Sequence, residues 1–130
     1  MSIEENKVAC RRFIEALDAD EDLSVLDEVC TPEVAEEWRA GLNSGDMTEY
    51  RLTITEMVAE DNTVLMVLTN GGMHTRGEFE GIPPTGKRWA GEAAVLFRMK
   101  DGKIAEVVHY MDFLNILKQL GATVTPPASP

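Results

Sequence analysis

Apolar positions recur with two different periods along this chain, and the change falls at Met47. Upstream the period is helical. Ser2 and Glu5 have the spacing of a capping box, which predicts a helix from Ile3. Cys10, Phe13, Ile14 and Leu17 then fall at i, i+3, i+4 and i+7 on one stripe, with Arg11, Arg12 and Glu15 on the wet side. The acidic run Asp18–Asp22 breaks that helix and reads as a solvated turn. A short helix follows, with Leu23, Leu26, Val29 and Cys30 inward. Thr31-Pro32 starts a third, Thr as N-cap and Pro at the first helical position. Val34, Trp38 and Leu42 repeat along it, and the stretch Gly41–Gly45 ends it.

From Met47 the period is two. Tyr50, Leu52 and Ile54 alternate with Arg51, Thr53 and Thr55, and the phase then slips to Met57 and Ala59, which predicts a bulge near Thr55-Glu56. After a turn at Glu60–Asn62, Thr63–Thr69 is apolar on both faces, as in a strand covered on both sides. Gly71-Gly72 allows a bend, and Met73–Phe79 reads as renewed strand. Pro83, Pro84 and Gly86 punctuate the loop Gly81–Gly86. Arg88–Met99 and Ile104–Met111 form a hairpin around Asp101-Gly102. Phe113, Leu114, Ile116, Leu117 and Leu120 make a closing helix that stops at Gly121. Helices followed by a meander of strands mean an α+β fold with an antiparallel sheet. Residues 1–121 read as a single domain and 122–130 as a disordered tail.

Composition changes this picture little. A length of 130 residues suits one domain. A net charge of -11 argues against nucleic acid and against an anionic membrane surface, since both need a basic face. No apolar run approaches the roughly 20 residues that span a bilayer. The acidic N-terminus has no secretory h-region, so a cytoplasmic location follows by default. Cys10 and Cys30 read as reduced core residues. Two histidines with no carboxylate at ligand spacing point to no metal site, and no nucleophile, P-loop or dinucleotide motif is present.

GEFEGIPPTGKR, then FRMKDGKIAEV, then D-x-L-x-x-L-x-Q-L-G resembles the SnoaL-like polyketide cyclases of the nuclear transport factor 2-like superfamily. The resemblance implies a cone-shaped, curved antiparallel or mixed sheet wrapped around the N-terminal helices and enclosing an apolar pocket, in a homodimer. It further implies acid/base chemistry, an aldol-type cyclisation or an isomerisation, on a small hydrophobic carbonyl compound, with no cofactor. The family carboxylate matches Asp112. Where relatives often carry W-D-x-W-D, this chain has Val108, His109, Tyr110, Met111 and Asp112. Where relatives often carry T-H-x-G, the order here is His74, Thr75, Arg76, Gly77, so His74 is displaced by one.

The candidate catalytic residues are therefore Asp112, His74 and Tyr110. Asp112 is a general base if an apolar pocket desolvates it, or an N-cap of the helix that begins at Phe113. Tyr110 shares its face by alternation and could donate to a carbonyl oxygen or enolate. His109 and Met111 fall on the other face, where a histidine at an outer face or dimer interface is the commoner case. Trp38, Asn43, Phe79, Trp89, Val108 and His109 complete the expected pocket. Glu92 and Arg98 share one face of the long strand and read as separate surface charges. Two alternatives stay open: a non-catalytic binder of small apolar ligands on the same fold, and an epoxide hydrolase, whose Asp-Arg-Asp relay these residues do not assemble.

Overall fold

Ser2 closes the first turn of α1 (Ile3–Leu17): its Oγ accepts the Glu5 N–H at 3.0 Å and donates to Glu5 Oε1 at 3.1 Å, the capping box read from the sequence. The structure, a computed structural model, describes residues 2–18, 23–43 and 47–128, without the side chains of Leu42, Asn43, Met47 and Thr48. The acidic run beyond Asp18, and the Ser44-Gly45 stop, lie outside the described residues. α2 (Val25–Val29) and α3 (Pro32–Asn43) follow, and α3 runs through Gly41. An isolated parallel bridge, Cys30 to Ile104, ties the α2–α3 junction to the sheet.

Four strands, β1 (Met47–Glu60), β2 (Thr63–His74), β3 (Arg88–Lys100) and β4 (Lys103–Met111), form one antiparallel sheet in the order 1-2-3-4. The slip foreseen near Thr55 is present, between Ile54 and Glu56, and a second lies between Thr48 and Arg51, where Glu49 takes a left-handed φ of 53°. β2 runs unbroken through Gly71-Gly72. The expected strand Met73–Phe79 ends instead at His74, and only a Phe79–Ile82 bridge interrupts the loop beyond it. Gly71 is needed there because a Cβ would stand 2.8 Å from the Trp89 carbonyl oxygen. The β3–β4 turn is the predicted hairpin, with positive φ at both Asp101 and Gly102.

α4 (Phe113–Gln119) closes the chain. Gln119 folds back on β3 beyond the end of β4, accepting the Ala90 N–H at 2.8 Å and donating to the Ala90 carbonyl at 2.7 Å. The main core lies between the helices and the inner face of the sheet. Phe13 sits at its centre, edge-on to Trp38 and to Phe97 at 5.2 and 5.6 Å between ring centroids. A second cluster, Trp89, Ile116 and Leu120, lies under α4. The outer face carries Leu65 and Tyr110, 37% and 60% exposed, and no described helix covers it.

One slip decides what β4 shows to the interior. Lys100 pairs with Lys103 and Met99 with Ile104, but Arg98 pairs with Glu106, so Ala105 is an extra residue. Straight pairing would place Glu106 opposite Phe97, a carboxylate in the core. With the slip Glu106 faces outward and bonds Arg98 at 3.1 Å. Val107, His109 and Met111 then turn inward, opposite Phe97, Val95 and Ala93.

Candidate functional site

A cavity of about 150 Å³ opens where the helices diverge from the curved sheet. Its helical wall is the α1 stripe, Phe13, Ile14 and Leu17, with Trp38 of α3 beside it. The sheet supplies Tyr50 and Leu52 from β1, then Leu68 and Asn70 from β2. Ala93 and Val95 of β3 form the floor, where the small Ala93 leaves room, and His109 and Met111 of β4 close the far side. Among the described residues no Asp, Glu, Lys or Arg lines it, and the lining side chains that carry polar atoms are Trp38, Tyr50, Asn70 and His109.

Asn70 continues the inward phase of Val64, Met66 and Leu68. It is 6% exposed, and its Oδ1 has no hydrogen-bond partner among the described residues. Such an orphan acceptor costs roughly 1–3 kcal/mol. His109 is exposed and stands 6.0 Å from the Trp38 ring, so it marks the mouth. Asn70 and His109 are two strands and four residues apart in register. On a flat sheet that is on the order of 15 Å between backbones, shortened here by curvature and converging side chains. The two groups therefore serve different atoms of a bound molecule.

The other expected site residues fall elsewhere. Asp112 is exposed and caps α4, its carboxylate accepting the Asn115 N–H at 3.0 Å, so it occupies a helix cap rather than an apolar pocket. Tyr110 points outward and Val108 shares its face, because the Ala105 slip inverts the alternation read from the sequence. His74 is fully buried with both ring nitrogens engaged. Nε2 donates to the Gly77 carbonyl at 2.7 Å, which leaves Nδ1 to accept from Thr85. With Gly86 N–H bonded to its carbonyl, His74 pins the 76–87 loop. Phe79 belongs to that loop, stacked on Phe113 at 6.1 Å, and Trp89 lies in the second cluster with Tyr50 edge-on at 6.1 Å. The Asn43 side chain lies outside the described residues. Trp38 and His109 are thus the expected pocket residues that the cavity brings together. Asn70 and Tyr50 are the additions, and the even-numbered phase of β2 was the signal for Asn70.

Glu92 and Arg98 are exposed on the outer face. Cys10 and Cys30 are buried free thiols. Burial pushes Cys10 up to about 12, with the Cys30 sulfur adding to it, and burial pushes Cys30 up to about 11 against the pull of Lys103. No three His, Cys, Asp or Glu side chains converge among the described residues, and no described helix is long and apolar enough to cross a membrane.

A meander of four antiparallel strands curved over three helices is the nuclear transport factor 2-like architecture. TsrD from Streptomyces laurentii superposes with a TM-score of 0.83 at 24% identity, covering 95% of this chain and 99% of that one. IdmH, a putative polyketide cyclase from Streptomyces antibioticus, gives 0.74 at 22% identity over 90% of this chain and 99% of its own. These likenesses show the fold. The sequence goes further: the chain belongs to the SnoaL-like polyketide cyclase family, whose model matches residues 7–120. It is similar to the nogalonic acid methyl ester cyclase of Streptomyces nogalater, 44% identical over 50 residues, which is 38% of this chain and 37% of that cyclase.

Proposed function

We propose that this chain is a cyclase or isomerase that moves protons on a neutral carbonyl compound, with His109 as the acid/base. The observation that carries the proposal is the imidazole of His109 in the wall of a largely apolar cavity, at the position where relatives often carry the first aspartate of W-D-x-W-D. Histidine is the side-chain type best suited to proton transfer near neutrality. In the proposed step the imidazole takes a proton from a carbon α to a carbonyl, leaving an enolate. The enolate carbon attacks a second carbonyl carbon of the same molecule, and the resulting alkoxide recovers the proton from the imidazolium. One C–C bond forms and no atom is lost.

The test needs no natural substrate. α-Proton exchange of 2-tetralone in D₂O, followed by NMR, should be accelerated by the protein, and His109→Ala should slow it about 100-fold or more. Exchange unchanged in His109→Ala would refute the assignment. The second reading, a ligand binder, is favoured by the engagement of Asp112 in a cap and of His74 in the loop. It predicts 2-tetralone bound without exchange.

The reading includes a homodimer built on the outer face. Val58, Leu65, Leu96 and Val108 are direct cross-strand partners there, an apolar row crossing all four strands. β2 is apolar on both faces, and a second copy would cover the one that the helices leave open.

A further inference from the structure

We infer that the cavity takes one neutral, hydroxyl-bearing ring of its substrate, a phenol or an enol, and takes it hydroxyl first. This rests on the cavity being the reactive site proposed above, and names the class of molecule that fits it. Size sets the first limit. An apolar space of about 150 Å³, open at one end, is on the scale that holds a single benzene ring. The rest of a larger polycyclic or chain-like substrate must stay beyond Trp38 and His109.

Charge sets the second. Neither Lys nor Arg is among the described lining residues, so the inner end of the cavity has no fixed cation to meet a carboxylate. A charge anchored beside it is itself negative: Asp18 accepts the Leu52 N–H at 3.1 Å, next to the lining residues Leu17 and Leu52. An anionic ring would lose its hydration and meet repulsion. The third limit is the orphan Asn70 Oδ1. A carboxamide oxygen is an acceptor only, so the group that completes it must be a donor, and an uncharged ring supplies a donor most simply as a hydroxyl. Depth then fixes direction. Asn70 is almost fully buried and His109 is exposed at the mouth, so the hydroxyl lies innermost and the far edge of the ring faces the imidazole.

The test is a binding ladder on the whole protein, read by ¹H–¹⁵N NMR at the backbone amides of the lining residues Leu68 and Ala93 in both wild type and variant, and also at the Asn70 side-chain amide in the wild type. Phenol supplies ring and donor, anisole lacks the donor, toluene lacks the oxygen, and benzoate adds the charge. Phenol should bind about tenfold tighter than anisole or toluene, and benzoate should not bind. In Asn70→Leu, toluene should still bind and the preference for phenol should vanish. Phenol no tighter than toluene in the wild type, or benzoate tighter than phenol, overturns the inference whatever the variant does. The ladder is independent of turnover. Phenol preference without 2-tetralone exchange would sink the acid/base reading alone, and exchange without phenol preference would sink this one alone.

Discussion

Asn70→Leu should make the protein more stable, against the usual direction of core substitutions. Asn70 Oδ1 is buried without a partner among the described residues, and the side chain makes no hydrogen bond there that leucine would break. Removing an unsatisfied acceptor relieves about 1–3 kcal/mol. Leucine has about the same reach and lays apolar surface against Leu68 and the cavity wall, so no hole is left behind. For a chain of this size about 1 kcal/mol moves the melting temperature by roughly 4 °C, so a rise of about 4–12 °C is expected. Asn6 is the internal control. Its Oδ1 is also unpartnered and it is even more deeply buried, but its Nδ2 donates to the Asp61 carbonyl at 3.5 Å. Asn6→Leu orphans that carbonyl and should gain less or nothing. Differential scanning calorimetry and urea unfolding of the three proteins decide the matter. A loss of more than about 1 kcal/mol in Asn70→Leu would mean that the amide is satisfied in solution, and the reasoning from it would fail.

The two thiols should make stability fall in alkali. With folded values of about 12 and 11 against 9.0 unfolded, both hold their protons when folded and lose them when unfolded. Their contribution is therefore complete below pH 9 and is lost as pH rises toward 11; between pH 8 and 10 it falls by about 3 kcal/mol. Urea midpoints should show this slope, and Cys10→Ala/Cys30→Ala should flatten it; an equal slope in the double variant rules the thiols out. Asp112→Ala should cost about 1 kcal/mol through the lost cap and leave 2-tetralone exchange at the wild-type rate. A 100-fold loss of exchange in Asp112→Asn, which keeps the cap, would instead restore the carboxylate as base. Leu65→Glu should convert the proposed dimer to a folded monomer by light scattering, and a dimer that survives it places the interface elsewhere.

Much of the fold is legible in the residues because local chemistry and pattern agree. Ser2 and Glu5 announce α1, Asp101-Gly102 announces the hairpin, and the slip after Ile54 is visible as a change of phase. The site is less legible because it depends on pairing between distant strands. The alternation of β4 by itself offers Tyr110 and Asp112 as one face, and only the pairing of Glu106 with Arg98 makes it His109 and Met111. His74 sits on a strand that Gly71-Gly72 fails to interrupt, so its nitrogens meet a loop whose path no periodicity describes. Asn70 is readable from the phase of β2 and Tyr50 from its alternation with Leu52, whereas the irregular pairing at Thr48/Arg51 beside Tyr50 leaves no mark in the hydrophobic pattern.

Two alternative sites are written on β4, and a surface charge pair chooses between them. One face reads imidazole and thioether, the other a phenol and, nearer the turn, the Glu106 carboxylate. Glu106 keeps the second outside, since the straight register would carry its own charge into the core. An apolar residue at 106 would remove that veto, because the straight register, which turns Val108 and Tyr110 inward, would no longer carry a charge into the core. The group that this strand offers to the cavity is thus set by a residue outside the cavity, through the cost of burying its charge.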